Sequence, residues 1–188
     1  MKHLFAMLLV VSFAFGVQAS EVDLEKSTLQ WTGSKITGSF HTGKLFSKEM
    51  KVVAPKGVIE SAKIVIDMSS FTVTDLTGGT AKKFLSHMKS DDFFSVATYP
   101  TATLNITSIK NGEAVGDLTI KNKTNPVRFK VQRIDTTYTG QLKFDRTKFG
   151  MIYGSGSFFK NLGDKVISDE VVVDFKIVMK PVNQKASL

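Results

Sequence analysis

The chain alternates apolar and polar side chains with a period of two in one run after another, and this pattern constrains its fold more than any other feature. Ala62, Ile64, Ile66 and Met68 share one face, with Lys63, Val65 and Asp67 between them. Ala102, Leu104 and Ile106 alternate with Thr101, Thr103, Asn105 and Thr107. Gly116, Leu118 and Ile120 alternate with Asp117, Thr119 and Lys121, and Val127, Phe129 and Val131 with Arg128, Lys130 and Gln132. Val171, Val173, Phe175, Ile177 and Met179 form the last such series. Period two is the repeat of an extended strand that shows one face to a core and the other to water. The register assigns Leu104, Leu118, Ile120, Phe129, Phe175 and Ile177 to the interior. It assigns Lys63, Thr103, Lys121, Arg128, Lys130 and Lys176 to solvent. Pro55-Lys56-Gly57, Asn111-Gly112, Asn122 to Pro126 and Asn161 to Asp164 read as turns between runs, and Asn111-Gly112 is a two-residue hairpin signal.

One segment breaks the alternation. Ala81, Phe84, Leu85 and Met88 fall at i, i+3, i+4 and i+7, one face of a helix. Gly78-Gly79 marks its entry, and Asp75, Thr77 and Thr80 are candidate caps. Ser90-Asp91-Asp92 then opens a short turn into Phe93-Phe94, with the aspartates as candidate caps there. Many strands in a chain of 188 residues must close on themselves or fold over to avoid long exposed edges. Short turns between most runs favour closure. The expected fold is mainly β: an eight-stranded antiparallel up-and-down β-barrel with one inserted helical segment near residues 78–94. A barrel of that size holds one small ligand.

The first residues read as a targeting signal. Met1-Lys2-His3 is a short basic start, Leu4 to Val17 is apolar apart from Ser12 and Gly16, and Val17-Gln18-Ala19 places small residues at −3 and −1 of a cut. The apolar run is short of the ~20 residues needed to span a bilayer. The expected organisation is a signal peptide at 1–19, cleaved after Ala19, and a single barrel domain at 20–188. The mature protein is then periplasmic or secreted. The chain has no cysteine, which excludes disulfides, thiolate nucleophiles and Cys zinc sites. A net charge of +8 comes from scattered lysines and arginines rather than a basic run. That charge reads first as the solvated face of a sheet. No nucleic-acid partner is expected, and weak contact with an anionic membrane surface is the functional alternative.

The stretch from Phe84 to Ala102, FLSHMKSDDFFSVATYPTA, resembles the YceI-like domain, a bacterial polyisoprenoid-binding family with a lipocalin-like barrel. The matching residues are His87-Met88-Lys89-Ser90, Asp92-Phe93-Phe94 and Tyr99-Pro100-Thr101-Ala102. Gly116-Asp117-Leu118-Thr119-Ile120 with Thr124, Pro126 and Val127, then Asp145-Arg146-Thr147-Lys148-Phe149-Gly150-Met151, then Ile167-Ser168-Asp169-Glu170-Val171, follow in the family's order. Trp31 to Lys35 and Asp67 to Ser70 also fit. Ser95, Met88 and Asn122 depart from the usual Asp, Leu and Gly. The resemblance implies a central apolar cavity that takes a long isoprenoid or other lipid-like chain.

Aromatic residues gather around the helical segment and around the block that starts at Asp145. Lipid pockets are apolar and aromatic with few polar anchors. The expected wall is Trp31, Phe84, Met88, Phe93, Phe94, Leu104, Phe149 and Tyr153, with His87 and Arg146 as candidate polar anchors. His87 better suits a buried histidine bonded to backbone or a contact at the helix C-terminus, and Arg146 equally suits a structural ion pair with a carboxylate. His41 and His87 are the only histidines beyond the start and make a poor metal site, so no metal or other cofactor is expected. Ser86 to Lys89 and Ser157 to Lys160 match S-x-x-K, but the accompanying S-D-N element is absent. No catalytic residues are assigned. The expected function is a carrier for a long apolar isoprenoid or acyl chain, not an enzyme. An enzyme acting on such a lipid inside the barrel, or a β-domain that docks on membrane proteins, are the alternatives. The sequence also leaves room for a homodimer.

Overall fold

The computed structural model describes residues 21–181, so the signal-peptide reading lies outside the described residues. Nine strand segments and one helix follow in order. They are β1 (Thr28–Lys35), β2 (Phe40–Leu45), β3 (Ser47–Val53), β4 (Ser61–Asp67), α1 (Gly78–Lys89), β5 (Thr101–Lys110), β6 (Glu113–Ile120), β7 (Lys123–Ile134), β8 (Thr137–Asp145) and β9 (Ile167–Val178). The sheet order is β2-β1-β9-β8-β7-β6-β5-β4-β3, and every pairing between these strands is antiparallel. From β3 to β9 each strand pairs with the next, which is up-and-down topology.

The two ends of the order are consecutive in the chain. Only Phe46 separates β2 from β3, so one bent strand carries both ends of the curled sheet. Counted this way the expected eight strands become nine segments. β2 pairs with β1 and β3 pairs with β4, and the kink at Phe46 lets one strand serve both neighbours. The outer edge of β2 is also covered. The amides of Thr72 and Thr74 donate to the carbonyls of Lys44 and Thr42 at 3.0 and 2.8 Å. The Lys44 and Thr42 amides are taken by Thr72 Oγ1 and Asp75 Oδ1, at 3.2 and 2.9 Å. Residues 72–75 therefore act as a strap along an edge that would otherwise expose unpaired backbone.

The turns form as their chemistry dictates. Asn111 and Gly112 both take positive φ between β5 and β6, as a type I′ hairpin requires. Lys121 and Asn122 do the same between β6 and β7. The turn expected over Asn122 to Pro126 is thus only its first residue, and Lys123 onward is strand. Pro126 pairs with Asp117, and β7 meets β8 only from Val131. Proline is tolerated there because its second edge carries no ladder.

The helix covers 78–89 as expected, with Thr77 at its N-cap position and no side-chain cap. The Ser90 turn is closed by backbone rather than by the aspartates, since the amides of Phe93 and Ser95 both donate to Ser90 O. The core side chains are the period-two series. Leu118, Ile120, Phe129 and Ile177 are buried, and Leu104 and Phe175 pack against them half-buried. Lys63, Arg128, Lys130 and Lys176 are exposed. Thr103 and Lys121, expected in solvent, are half-buried. Lys121 folds over the end of the barrel, where its Nζ donates to Phe93 O at 2.7 Å and reaches Asp91 O at 3.4 Å. Among the described residues no helix is long and apolar enough to cross a membrane.

Candidate functional site

The inward side chains of the strands do not meet at the axis. They leave a cavity of about 420 Å³, within the range of small-molecule sites. Its middle is hydrocarbon and aromatic ring: Leu29 and Trp31 from β1, Ile64 and Ile66 from β4, Leu104 and Ile106 from β5, Leu118 from β6, Phe129 from β7, and Val173, Phe175 and Ile177 from β9. Ile109 also faces in, three residues after Ile106. A bulge between Ile106 and Ser108 supplies the extra residue that keeps both on one face.

One end is stoppered. Ile59, buried in the connection between β3 and β4, lines the cavity, and its amide donates to Tyr138 Oη at 3.0 Å. The phenol is therefore satisfied at the wall, with its ring turned to the interior.

The other end is covered by α1 and the turn that follows. Trp31 stacks on Phe84 with centroids 6.1 Å apart and planes within 7°, and its Nε1 donates to Thr72 O at 2.9 Å. Phe71 stands edge-on to Trp31 and to Phe94. His41 touches the Phe84 ring at 4.7 Å, and its Nδ1 lies 2.7 Å from Asp75 Oδ2. Burial pushes the Asp75 carboxyl up. The Thr42 amide and His41 outweigh it and hold the group below the usual aspartate value. The strap, the helix and the rim of β2 are thus one hydrogen-bonded and ring-packed unit.

Of the expected wall residues, Trp31, Phe84, Met88, Phe93, Phe94, Leu104 and Tyr153 are brought together around this cavity. Phe149 is not. It is 1% exposed and stands behind Phe144, edge-on with centroids 5.6 Å apart, so Phe144 forms the surface there. The helical turn at Arg146–Phe149 points the Phe149 ring into the layer beneath the wall. Phe144, from the aromatic group around the Asp145 block, lines the cavity in place of Phe149. Phe129, Phe175 and Tyr138 also line it, and aromatic clustering in the sequence does not single them out. The strand alternation does so for Phe129 and Phe175.

The two candidate anchors differ. His87 lies at the cavity edge with its ring edge-on to Tyr153 at 4.7 Å and to Phe93 at 5.2 Å. Its Nδ1 is 3.6 Å from Asp92 Oδ2. Arg146 reaches the lining, but its guanidinium is committed to the protein. Nε donates to Ser168 O at 2.9 Å, Nη2 to Ile167 O at 3.1 Å and Nη1 to Met151 O. Asp169 Oδ1 lies 3.4 Å from Nη2, and the charge sits 5.9 Å from the Phe93 ring centroid. Burial lowers the Arg146 pKa, and Asp169 and Asp145 oppose the shift. The fork holds the β8–β9 connection to the start of β9. Among the described residues no three His, Asp or Glu side chains gather as a metal site would need.

Lys35, Ser39, Phe40 and Tyr153 line the cavity and are exposed. They mark where it reaches solvent, between the tip of the β1–β2 hairpin, the β8–β9 connection and α1. The fold and this interior define a small antiparallel barrel with one stoppered end, one mouth beneath a helix and an apolar hollow between.

The chain belongs to the YceI-like domain family, whose model matches residues 18–179. It is 25% identical over 176 residues to a UPF0312 protein of Shewanella denitrificans, with 88% of each chain covered. Among solved structures it is similar in fold to BcnA of Burkholderia cenocepacia. There the TM-score is 0.64 at 24% identity, covering 86% of this chain and all of the other. It is also similar to a polyisoprenoid binding domain from Saccharophagus degradans, with a TM-score of 0.59 at 20% identity, covering 87% and 99% of the two chains.

Proposed function

We propose that this protein is an exported carrier that holds one long apolar molecule, isoprenoid or fatty-acyl, noncovalently in the barrel interior. The observation that carries the reading is the cavity: about 420 Å³, walled by hydrocarbon and rings, and reaching solvent at one end. Each CH₂ moved from water into such a wall contributes ~0.8 kcal/mol. A chain of many methylenes is therefore held without any polar contact. Similarity to the polyisoprenoid binding domain of Saccharophagus degradans supports an isoprenoid-like ligand. The tripartite start supports a periplasmic or secreted location. Two of the ionisable groups beside the cavity are engaged by the protein itself, Arg146 with carbonyls and His41 with Asp75, which favours binding over catalysis.

The test is direct. Organic extracts of the natively purified protein are analysed by mass spectrometry, and the delipidated protein is titrated with fluorescent isoprenoid and acyl probes. Wild type takes up a probe, and Phe94→Asp, which places a charge in the wall, does not. Equal and negligible uptake by both, for both probe classes, would sink the carrier reading.

A further inference from the structure

We propose that the mouth of the barrel is a membrane-docking face, on which the β1–β2 tip and the β8–β9 connection seat their apolar side chains in the interface of an anionic bilayer. The proposal rests on the carrier reading only for what passes through the mouth, because docking itself requires no ligand.

Large apolar side chains are exposed unevenly. Half of those that the described residues expose, Ile36, Phe40, Tyr153, Phe158 and Phe159, lie on these two segments. Ile36 is 66% exposed and Phe158 56%. The segments adjoin: the Ile36 amide donates to Val166 O at 3.2 Å, and Lys35 pairs with Ile167. Phe158 and Phe159 project from a tight turn in which both of their amides donate to Ser155 O. That turn is anchored, because Ser155 is fully buried and bridges to Ile167. The exposed rings are thus held outward by ordered backbone beside the opening that Phe40 and Tyr153 line.

Charge selects the occupant. Lys35, Lys160 and Lys165 are exposed on the same segments, and Asp164 is their only exposed acid. Protein–protein interfaces are depleted in lysine at their centres. Aromatic side chains interleaved with lysine suit a lipid interface, where rings sit among the headgroups and lysine stems snorkel toward phosphates. A lysine near an anionic surface strengthens association about fivefold. A hydrocarbon ligand crossing directly from bilayer to cavity also avoids transit through water.

The test uses the mature protein in flotation with vesicles of phosphatidylcholine containing about one-third phosphatidylglycerol, and with phosphatidylcholine alone. The expected result is association with the anionic vesicles, at least about tenfold weaker on neutral ones and reduced by high salt. The double variant Phe158→Ser/Phe159→Ser, and separately Lys160→Glu/Lys165→Glu, lose about tenfold or more of that association. Both keep the wild-type unfolding midpoint and wild-type uptake of a dispersed fluorescent lipid in vesicle-free solution. Absence of flotation by wild type, or wild-type flotation by both variants, overturns the proposal. A dimer in size-exclusion that the Phe158→Ser/Phe159→Ser variant converts to monomer also overturns it, in favour of an interface between copies of the chain. Loss of lipid uptake with vesicle binding intact counts against the carrier reading alone.

Discussion

Trp31 and Gly43 face each other across β1 and β2, and the indole fills the space that a side chain at position 43 needs. A Cβ on Gly43 falls 1.8 Å from Thr72 O and 2.7 Å from Trp31 Nε1, the two atoms that hydrogen-bond to each other. The missing side chain lets the strap close over the strand edge and fixes the ring on which Phe84 stacks.

Gly43→Ala should therefore displace the strap, break the Trp31–Thr72 hydrogen bond and cost about 2–3 kcal/mol. Trp31 is the only tryptophan, so its emission reports this one site. A lower urea midpoint with red-shifted native emission is expected. An unchanged spectrum and midpoint would show that the strap moves freely.

The same relationship explains which parts of the fold were legible in the sequence. β4, β5, β6, β7 and β9 stand out because apolar side chains fill most of their inward positions, with Gly116 and, at the start of β7, Lys123 and Asn125 opposite Ile120 and Leu118 among the exceptions. β1, β2 and β8 do not, because Gly33, Gly43 and Gly140 occupy positions in their alternating series. At Gly140 a Cβ would fall 2.6 Å from the Phe175 ring, and at Gly43 it would meet Trp31. A glycine that makes room for an aromatic opposite leaves a gap in the hydrophobic pattern, so the strands that accommodate the largest rings are the hardest to read. The helix was legible because Phe84, Leu85 and Met88 keep its period. Lys121 was misplaced because alternation specifies a face, whereas a long side chain at a strand end reaches around it. Phe149 was misplaced because chain proximity to Tyr153 does not fix which ring of two layers reaches the cavity.

Arg146 gives a second prediction. Its guanidinium satisfies the carbonyls of Ser168, Ile167 and Met151 in a site where the side chain is 3% exposed. Arg146→Met leaves those acceptors unpaired and should cost about 3 kcal/mol. Arg146→Lys should recover only part of this, because one ammonium cannot reproduce the fork. Denaturant titration of the three proteins decides it. If lysine restores full stability, the site needs only the charge.

Asp75 makes the lid acid-sensitive. Its folded pKa lies below the ordinary 3.8, so its contribution is complete above that value and is lost as pH falls through the folded pKa. Amide exchange at Thr42, which donates to Asp75 Oδ1, should accelerate in that acid range. In Asp75→Ala the exchange should be fast already at neutral pH. Equal protection in both proteins at neutral pH would remove Asp75 from the strap.

Lys121 holds the turn that carries Phe93 and Phe94. Its Nζ donates to Phe93 O, and burial lowers its pKa, with Asp91 acting against the shift. Lys121→Met keeps the stem and deletes the donor. The expected cost is modest, about 1 kcal/mol, but the turn is freed above the cavity. Exchange of a bound fluorescent lipid should then be faster than in wild type at unchanged equilibrium capacity. An unaltered off-rate would place the exit route elsewhere, on the Tyr153 side of the mouth.

The hollow itself can be tested by filling it. Ala62 is buried on β4, opposite Ile106 of β5, and lines the cavity. In a packed core, replacing such an alanine by phenylalanine overpacks and costs about 1–3 kcal/mol or more. Here the new ring has empty volume to enter and replaces water-accessible space with apolar contacts. Ala62→Phe should therefore unfold near the wild-type midpoint or above it, while uptake of isoprenoid and acyl probes falls by an order of magnitude or more. The two measurements separate the cases. A large loss of stability means that side chains close the interior in solution and no cavity awaits a ligand. Retained stability with retained uptake means that the probes bind outside the barrel, and the interior is then no carrier site.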